Sequence, residues 1–280
     1  MTTTIFSPAE LGALLAQHPL GWWAAGVLMG ASLAWGALLG LRGLRRAGPP
    51  LHRFVPVKAR WLMLAAMAAA ACALVLAGEA MAELAESGTE GHWGVLDDAI
   101  AAGLRAHADT AVLRWFAALT HLGDTWVLTA LTFAVAGALW LRQHRMLATA
   151  WLVALAGNGA LTRILKNTFD RVRPEHVHGI AEAHGYSFPS GHSSASMVAY
   201  AMLAYLATRL LPRPWHLPSA LLAGALIVTT GWSRVVLQVH YASDVLAGWL
   251  LGVTWMVCTV LIMESMSRWH ADRRPATEPV

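Results

Sequence analysis

The sequence predicts an all-α fold, a polytopic bundle of helices that crosses a membrane. Three observations predict it. Apolar residues make up 57% of the 280 residues and charged residues only 13%, about half the charge of an ordinary soluble domain. Seven runs lack Asp, Glu, Lys and Arg altogether, and each is as long as the roughly 17–25 residues a membrane-crossing helix needs. The Lys and Arg residues gather in short segments between those runs. A mean hydropathy of +0.51 excludes disorder, which needs low hydrophobicity and high net charge. A transmembrane β-barrel would show alternating segments of about 10 residues, and the sequence has none. The net charge of +4 is read as positive charge retained on the cytoplasmic side, with no nucleic-acid partner.

The first run, Leu20 to Leu41, follows Glu10 and no Lys or Arg, unlike a cleaved leader. Arg42, Arg45, Arg46, Arg53, Lys58 and Arg60 follow it. That loop is expected in the cytoplasm, with the N-terminus outside and the C-terminus inside. The second run is Trp61 to Gly78. The outer stretch after it is acidic and then amphipathic, with Leu96, Ile100 and Leu104 at helical spacing, and predicts a helix lying in the interface. Asp124 is the expected N-cap of the third run, Thr125 to Leu141. Met146 to Thr162, Pro189 to Thr208, Pro214 to Ser233 and Val245 to Met263 complete the seven. Residues 1–60 form an N-terminal span with its basic loop, 61–264 a core and 265–280 a cytoplasmic tail. Gly26/Gly30, Gly36/Gly40 and Gly248/Gly252 have the spacing that lets helices approach closely. Cys72 and Cys258 lie in apolar runs and are expected as small buried thiols, without a disulfide or a metal.

Three segments carry chemistry, and the count of crossings puts all of them at the outer face. The first runs from Lys166 to Arg173-Pro174, the second spans Ser187 to His192, and the third spans Ser233 to Asp244. Together they supply a phosphate site. Lys166, Arg173 and Arg234 are cations for a group that carries about −1.5 to −2 charge. Ser190 and Gly191 precede a long helix, whose free N–H groups and dipole bind anions. His240 and Asp244 are four apart and share a helical face. A carboxylate there orients the imidazole as a nucleophile. His192 remains to protonate the departing oxygen. No carboxylate cluster suited to two metal ions is present, so the Arg and Lys residues would stabilise the charge. Bland roles compete for each residue: snorkelling cations at span ends, a local helix-start bond for His192, and an ion pair for His240.

These segments resemble the tripartite signature of the type 2 phosphatidic acid phosphatases, a superfamily shared with vanadium haloperoxidases and bacterial acid phosphatases. The pattern is Lys, six residues, Arg-Pro; Pro-Ser-Gly-His; and Ser-Arg, five residues, His, three residues, Asp. Every fixed position is matched. The resemblance implies a six-helix core, here the second to seventh spans, with the first span an addition. It implies that Lys166, Arg173, Ser190, Gly191 and Arg234 hold the phosphate. It also implies that His240 becomes a phosphohistidine supported by Asp244, while His192 acts as acid and then activates water. The expected protein is a metal-independent, cofactor-free lipid phosphatase of a bacterial inner membrane with its site facing the periplasm. Candidate substrates are undecaprenyl diphosphate, phosphatidylglycerophosphate, phosphatidic acid, diacylglycerol diphosphate and lipid A. A lipid phosphotransferase, an anion transporter and a haloperoxidase are the competing functions. His176, His178 and His184 fall in the loop between the first two segments, as a solvated stretch or as head-group or metal contacts. Arg163 either joins the phosphate site or pairs with a carboxylate such as Asp170.

Overall fold

A computed structural model describes residues 7–46, 59–90, 92–175, 179–181 and 183–272. Ten α-helices and two short 3-10 turns are present among them, and no strand. The helices are α1 (Pro8–Gln17), α2 (Pro19–Arg46), α3 (Ala59–Glu90), α4 (His92–His107), α5 (Thr110–Thr120), α6 (Thr125–Leu141), α7 (Arg145–Phe169), α8 (Gly191–Leu210), α9 (His216–Val236) and α10 (Ala242–Asp272).

Six helical stretches are long and apolar enough to cross a membrane. Leu28, Leu33, Trp126, Phe133, Ile164 and Leu222 are each at least 60% exposed on them. Such a coat of large apolar side chains suits lipid as solvent. The fifth expected span, Pro189 to Thr208, forms α8 but is not among the six. Its position explains why. Helices α6, α7, α9 and α10 all pack on α8, and Ser193, Ser194 and Ser196 on it are fully buried. A helix wrapped by other helices can satisfy polar side chains with protein partners and needs no apolar coat. Ser194 Oγ accepts from Asn158 Nδ2 at 3.0 Å and meets Thr162 Oγ1 at 2.9 Å. Below this polar layer Trp151, Val198 and Met202 are fully buried, with Trp151 Nε1 donating to the Thr132 carbonyl at 2.9 Å.

Two close approaches set the geometry. A Cβ on Gly30 of α2 would lie 3.2 Å from the Gly224 carbonyl oxygen of α9. The N-terminal span is therefore packed into the bundle through small residues; Gly26 faces Val228 of α9 as well, while Gly36 faces nothing within 4 Å. A Cβ on Gly248 of α10 would lie 2.6 Å from the Ser190 carbonyl oxygen. This contact brings the start of α10 against the start of α8.

The amphipathic segment forms α4, and its Ile100 and Leu104 are buried against Ala16 of α1, Val235 of α9 and Val245 of α10. Cys258 is buried as expected, but Cys72 is exposed. On a span whose outer face needs only to be apolar, a thiol there has no reason to turn inward. Arg53, Lys58, His176, His178, Arg273 and Arg274 lie outside the described residues.

Candidate active site

Helix α7 ends at Asp170, whose backbone is left-handed (φ 49°) and turns the chain into an extended segment. Lys166 sits in the last turn and Arg171 and Arg173 follow it. Arg173 is clamped by backbone. Its Nε donates to the Gly185 carbonyl at 2.9 Å, Nη1 to Val239 at 2.6 Å, and Nη2 to His184 and Tyr186 at 3.1 and 3.2 Å. Lys166 Nζ donates to the Tyr186 and Ser187 carbonyls. Both cations are thereby held in place by backbone carbonyls.

Ser190 is the N-cap of α8, and its Oγ accepts from Ser193 Oγ at 2.9 Å and from Ser193 N at 3.4 Å. Its hydroxyl is thus spent on the cap, and it is Gly191 that lines the cavity described below. At the other side, α9 ends at Val236, and Gln238 adopts a left-handed conformation (φ 55°). The turn folds back, so that the Val239 and His240 N–H groups both donate to the Arg234 carbonyl. This places His240 beside Arg234. Arg234 itself is only 5% exposed, with Nη1 donating to Thr120 Oγ1 at 2.8 Å and Nε unpartnered among the described residues.

The convergence expected from the three segments is present. Lys166, Arg173, Gly191, His192, Arg234 and His240 all line one cavity of about 700 Å³. The two histidines face the same space. Ser190 and Asp244 stand behind the wall.

The contacts of His240 fix its tautomer. Arg173 Nη1 lies 3.1 Å from His240 Nε2. A guanidinium can only donate, so Nε2 accepts through its lone pair and the proton is on Nδ1. Nδ1 then donates to Asp244 Oδ2 at 3.3 Å. Burial pushes the His240 imidazole down from its ordinary value to about 3, with Arg173 and Arg234 acting in the same direction and Asp244 opposing them. The ring is neutral near pH 7, as a nitrogen nucleophile must be.

Asp244 is held more firmly than spacing alone foretold. It accepts from Ser187 Oγ, from Tyr241 N at 2.8 Å and from Arg171 Nη1 at 2.8 Å. Arg171 bridges onward to Asp97 of α4, Nη2 to Oδ2 at 3.0 Å, and its guanidinium stacks 4.5 Å from the Tyr241 ring centroid. Asp97 also accepts from Ser243 N and Ser243 Oγ. Sequence reasoning missed this network. Its one signal was an acid, Asp97, on the same face as the apolar Ile100 and Leu104.

The expected role of Asp124 needs correction. It occupies the N-cap position of α6, yet its side chain makes no capping bond. Its Oδ1 accepts from His192 Nε2 at 3.0 Å, and its Oδ2 takes His121 Nδ1 at 2.7 Å and Trp126 Nε1 at 3.1 Å. Three nearby N–H donors outcompete the helix amides for the carboxylate. His192 and His240 are therefore each paired with an aspartate of their own. His184 also lines the cavity, and Arg163 does so without any ion pair to Asp170. Among the described residues no group of three or more His, Cys, Asp or Glu is placed to hold a metal.

Comparison with known proteins agrees with this geometry. The family model of the PAP2 superfamily matches residues 147–268, which include all three segments. Phosphatidylglycerophosphatase B of Bacillus subtilis is 32% identical over 137 residues, covering 48% of this chain and 67% of the relative. Decaprenylphosphoryl-5-phosphoribose phosphatase of Mycobacterium tuberculosis is 35% identical over 145 residues, covering 49% and 72%. The crystal structure of the transmembrane PAP2-type phosphatidylglycerolphosphate phosphatase from Bacillus subtilis superposes with a TM-score of 0.60 at 26% identity, covering 72% of this chain and 98% of that one. The six apolar spans, the shared fold and these relatives place the chain among integral membrane lipid phosphatases, and it belongs to the PAP2 superfamily.

Proposed function

We propose that the protein hydrolyses the terminal phosphate of a lipid head group through a phosphohistidine, without a metal ion, at the outer interface of a bacterial inner membrane. The observation that carries this reading is the single cavity lined by both histidines and by Lys166, Arg173 and Arg234. In the first step the lone pair on His240 Nε2 attacks phosphorus, and the bond from phosphorus to the lipid oxygen breaks. His192, which takes up a second proton as the anionic head group enters and so acts as an imidazolium, keeps one N–H on Asp124 and gives the proton on its other ring nitrogen to that oxygen. The lipid alcohol, or lipid monophosphate, departs. In the second step water attacks the phosphohistidine while His192 takes a proton back. Inorganic phosphate leaves and His240 is restored. Lys166, Arg173 and Arg234, with the N–H groups at the start of α8, stabilise the charge on the equatorial oxygens. Asp244 steadies the imidazolium character that His240 gains on attack. This cationic lining takes the part that metal ions play in other phosphatases.

A lipid substrate is supported by the mouth of the cavity. Thr125 and Thr129 of α6 and Gly159, Arg163 and Asn167 of α7 line it and are exposed. Two spans therefore border the opening together with the exposed loop residues His184, Gly185 and Tyr186, and a lipid diffusing in the same leaflet can meet it from between the spans. The outer-face placement rests on the basic residues that follow the first span.

The test is phosphate release from a panel containing phosphatidic acid, phosphatidylglycerophosphate, diacylglycerol diphosphate and undecaprenyl diphosphate, in detergent with EDTA. Release that persists in EDTA and is lost in His240→Ala is expected. Release that EDTA abolishes and Mg²⁺ restores would overturn the metal-free reading. Equal release by His240→Ala would overturn the nucleophile.

A further inference from the structure

The cavity extends beyond what one phosphate needs. Along α7 it is lined by Leu155, Asn158, Gly159, Thr162, Arg163 and Lys166, a single face at helical spacing. Lys166 and Leu155 are eleven residues apart, so this wall runs about 16 Å along the helix axis. Arg163 stands on it one turn inward of Lys166, and neighbours at this spacing have Cβ atoms about 5–6 Å apart.

Arg163 differs from the three cations already assigned. Arg173, Lys166 and Arg234 are each tied to protein acceptors. Arg163 makes no hydrogen bond or ion pair among the described residues, and it is exposed. No carboxylate lines the cavity. Four cations therefore face this space, whereas one phosphate monoester brings about two negative charges. The excess calls for a further anion. A second observation points the same way. Asn158, 1% exposed and lining the same wall, has its Oδ1 buried and unpartnered. It offers an acceptor for a hydroxyl on the head group.

We propose that Arg163 forms a second anion subsite, which selects lipids carrying another phosphate beyond the one that is cleaved. This rests on the phosphatase reading and names its substrate class. The second phosphate belongs either to a diphosphate or to a glycerol-linked phosphodiester; both present the same oxygens to a guanidinium.

The experiment measures kcat/KM for phosphatidic acid, diacylglycerol diphosphate and phosphatidylglycerophosphate, with wild type, Arg163→Gln, Arg163→Lys and His240→Ala. Arg163→Gln should lower kcat/KM for at least one two-phosphate lipid about 10- to 100-fold further than for phosphatidic acid, the loss expected for one charge-assisted hydrogen bond. Loss on the diphosphate alone assigns the subsite to an adjacent phosphoryl group. Loss on phosphatidylglycerophosphate alone assigns it to the phosphodiester. Arg163→Lys should recover part of the selectivity, because it keeps the charge but not the fork. If Arg163→Gln and Arg163→Lys each change all three substrates by the same factor, Arg163 is only a span-end cation and the subsite is wrong. If His240→Ala keeps wild-type activity, the phosphatase reading itself fails, and this result is distinct from the first.

Discussion

Replacing Asp124 with Asn tests the least expected contact in the site. The substitution keeps the shape and an oxygen acceptor but removes the charge opposite His192. The contact is 3.0 Å long and largely shielded from water, with both side chains a little over one-fifth exposed. A hydrogen bond to a charged group contributes about 1.5–3 kcal/mol. At 1.36 kcal/mol per decade, that predicts a loss of roughly 10- to 150-fold in kcat/KM. The loss lies below the ceiling for removing the acid itself, about 10²- to 10⁴-fold, as it should for a residue that acts through another. The assay compares two leaving groups, a lipid alkoxide and a nitrophenolate. The alkoxide needs a proton to depart; the nitrophenolate does not. Asp124→Asn should therefore impair phosphatidic acid strongly and the nitrophenyl phosphate ester much less. Equal losses on both substrates, or no loss on either, would refute the assignment of Asp124 as the residue that orients His192.

Two further outcomes follow from the network behind Asp244. Arg171→Ala leaves Asp97 and Asp244 buried without their shared cation, and breaking a buried pair costs about 3–5 kcal/mol; thermal unfolding in detergent should show a large drop in Tm, and a change equivalent to under about 1 kcal/mol would contradict the bridge. The His240 imidazole, held at about 3 by burial and by Arg173, should stay neutral through pH 5 in nitrogen-15 spectra recorded in phosphate-free buffer; titration near the ordinary 6.5 would show that its lone pair is not confined as described.

Much of the site was legible because its chemistry is local in sequence. His240 and Asp244 are only four residues apart, His240 in the bend before α10 and Asp244 in its first turn, and Ser190 with Gly191 marks a helix start. Their residue types need only their own segments to be recognised. The six apolar spans were legible for the same reason, since lipid contact demands an unbroken apolar run. What stayed hidden depends on contacts between distant segments. His192 meets Asp124 across 68 residues, and Arg171 meets Asp97 across 74. Asp124 stands where a cap belongs, and nothing in its own segment shows that a histidine from α8 claims it. The two cations two residues apart, Arg171 and Arg173, look alike in sequence. One faces the cavity and the other turns back to brace Asp244, and only the packing of α4 against α10 decides which. Helix α8 differs from the others in another way: its buried serines make it less apolar than its neighbours because protein surrounds it.

The central claim is that His240 becomes covalently phosphorylated during turnover. Rapid acid-free quenching of the enzyme with a phosphorus-32 lipid phosphate, followed by peptide mass spectrometry, tests it directly. The account predicts an acid-labile, alkali-stable phosphoryl group on His240 that is absent from His240→Ala and accumulates when His192 is replaced and an activated substrate is used. A turning-over enzyme with no label, or with the label on another residue, would contradict it.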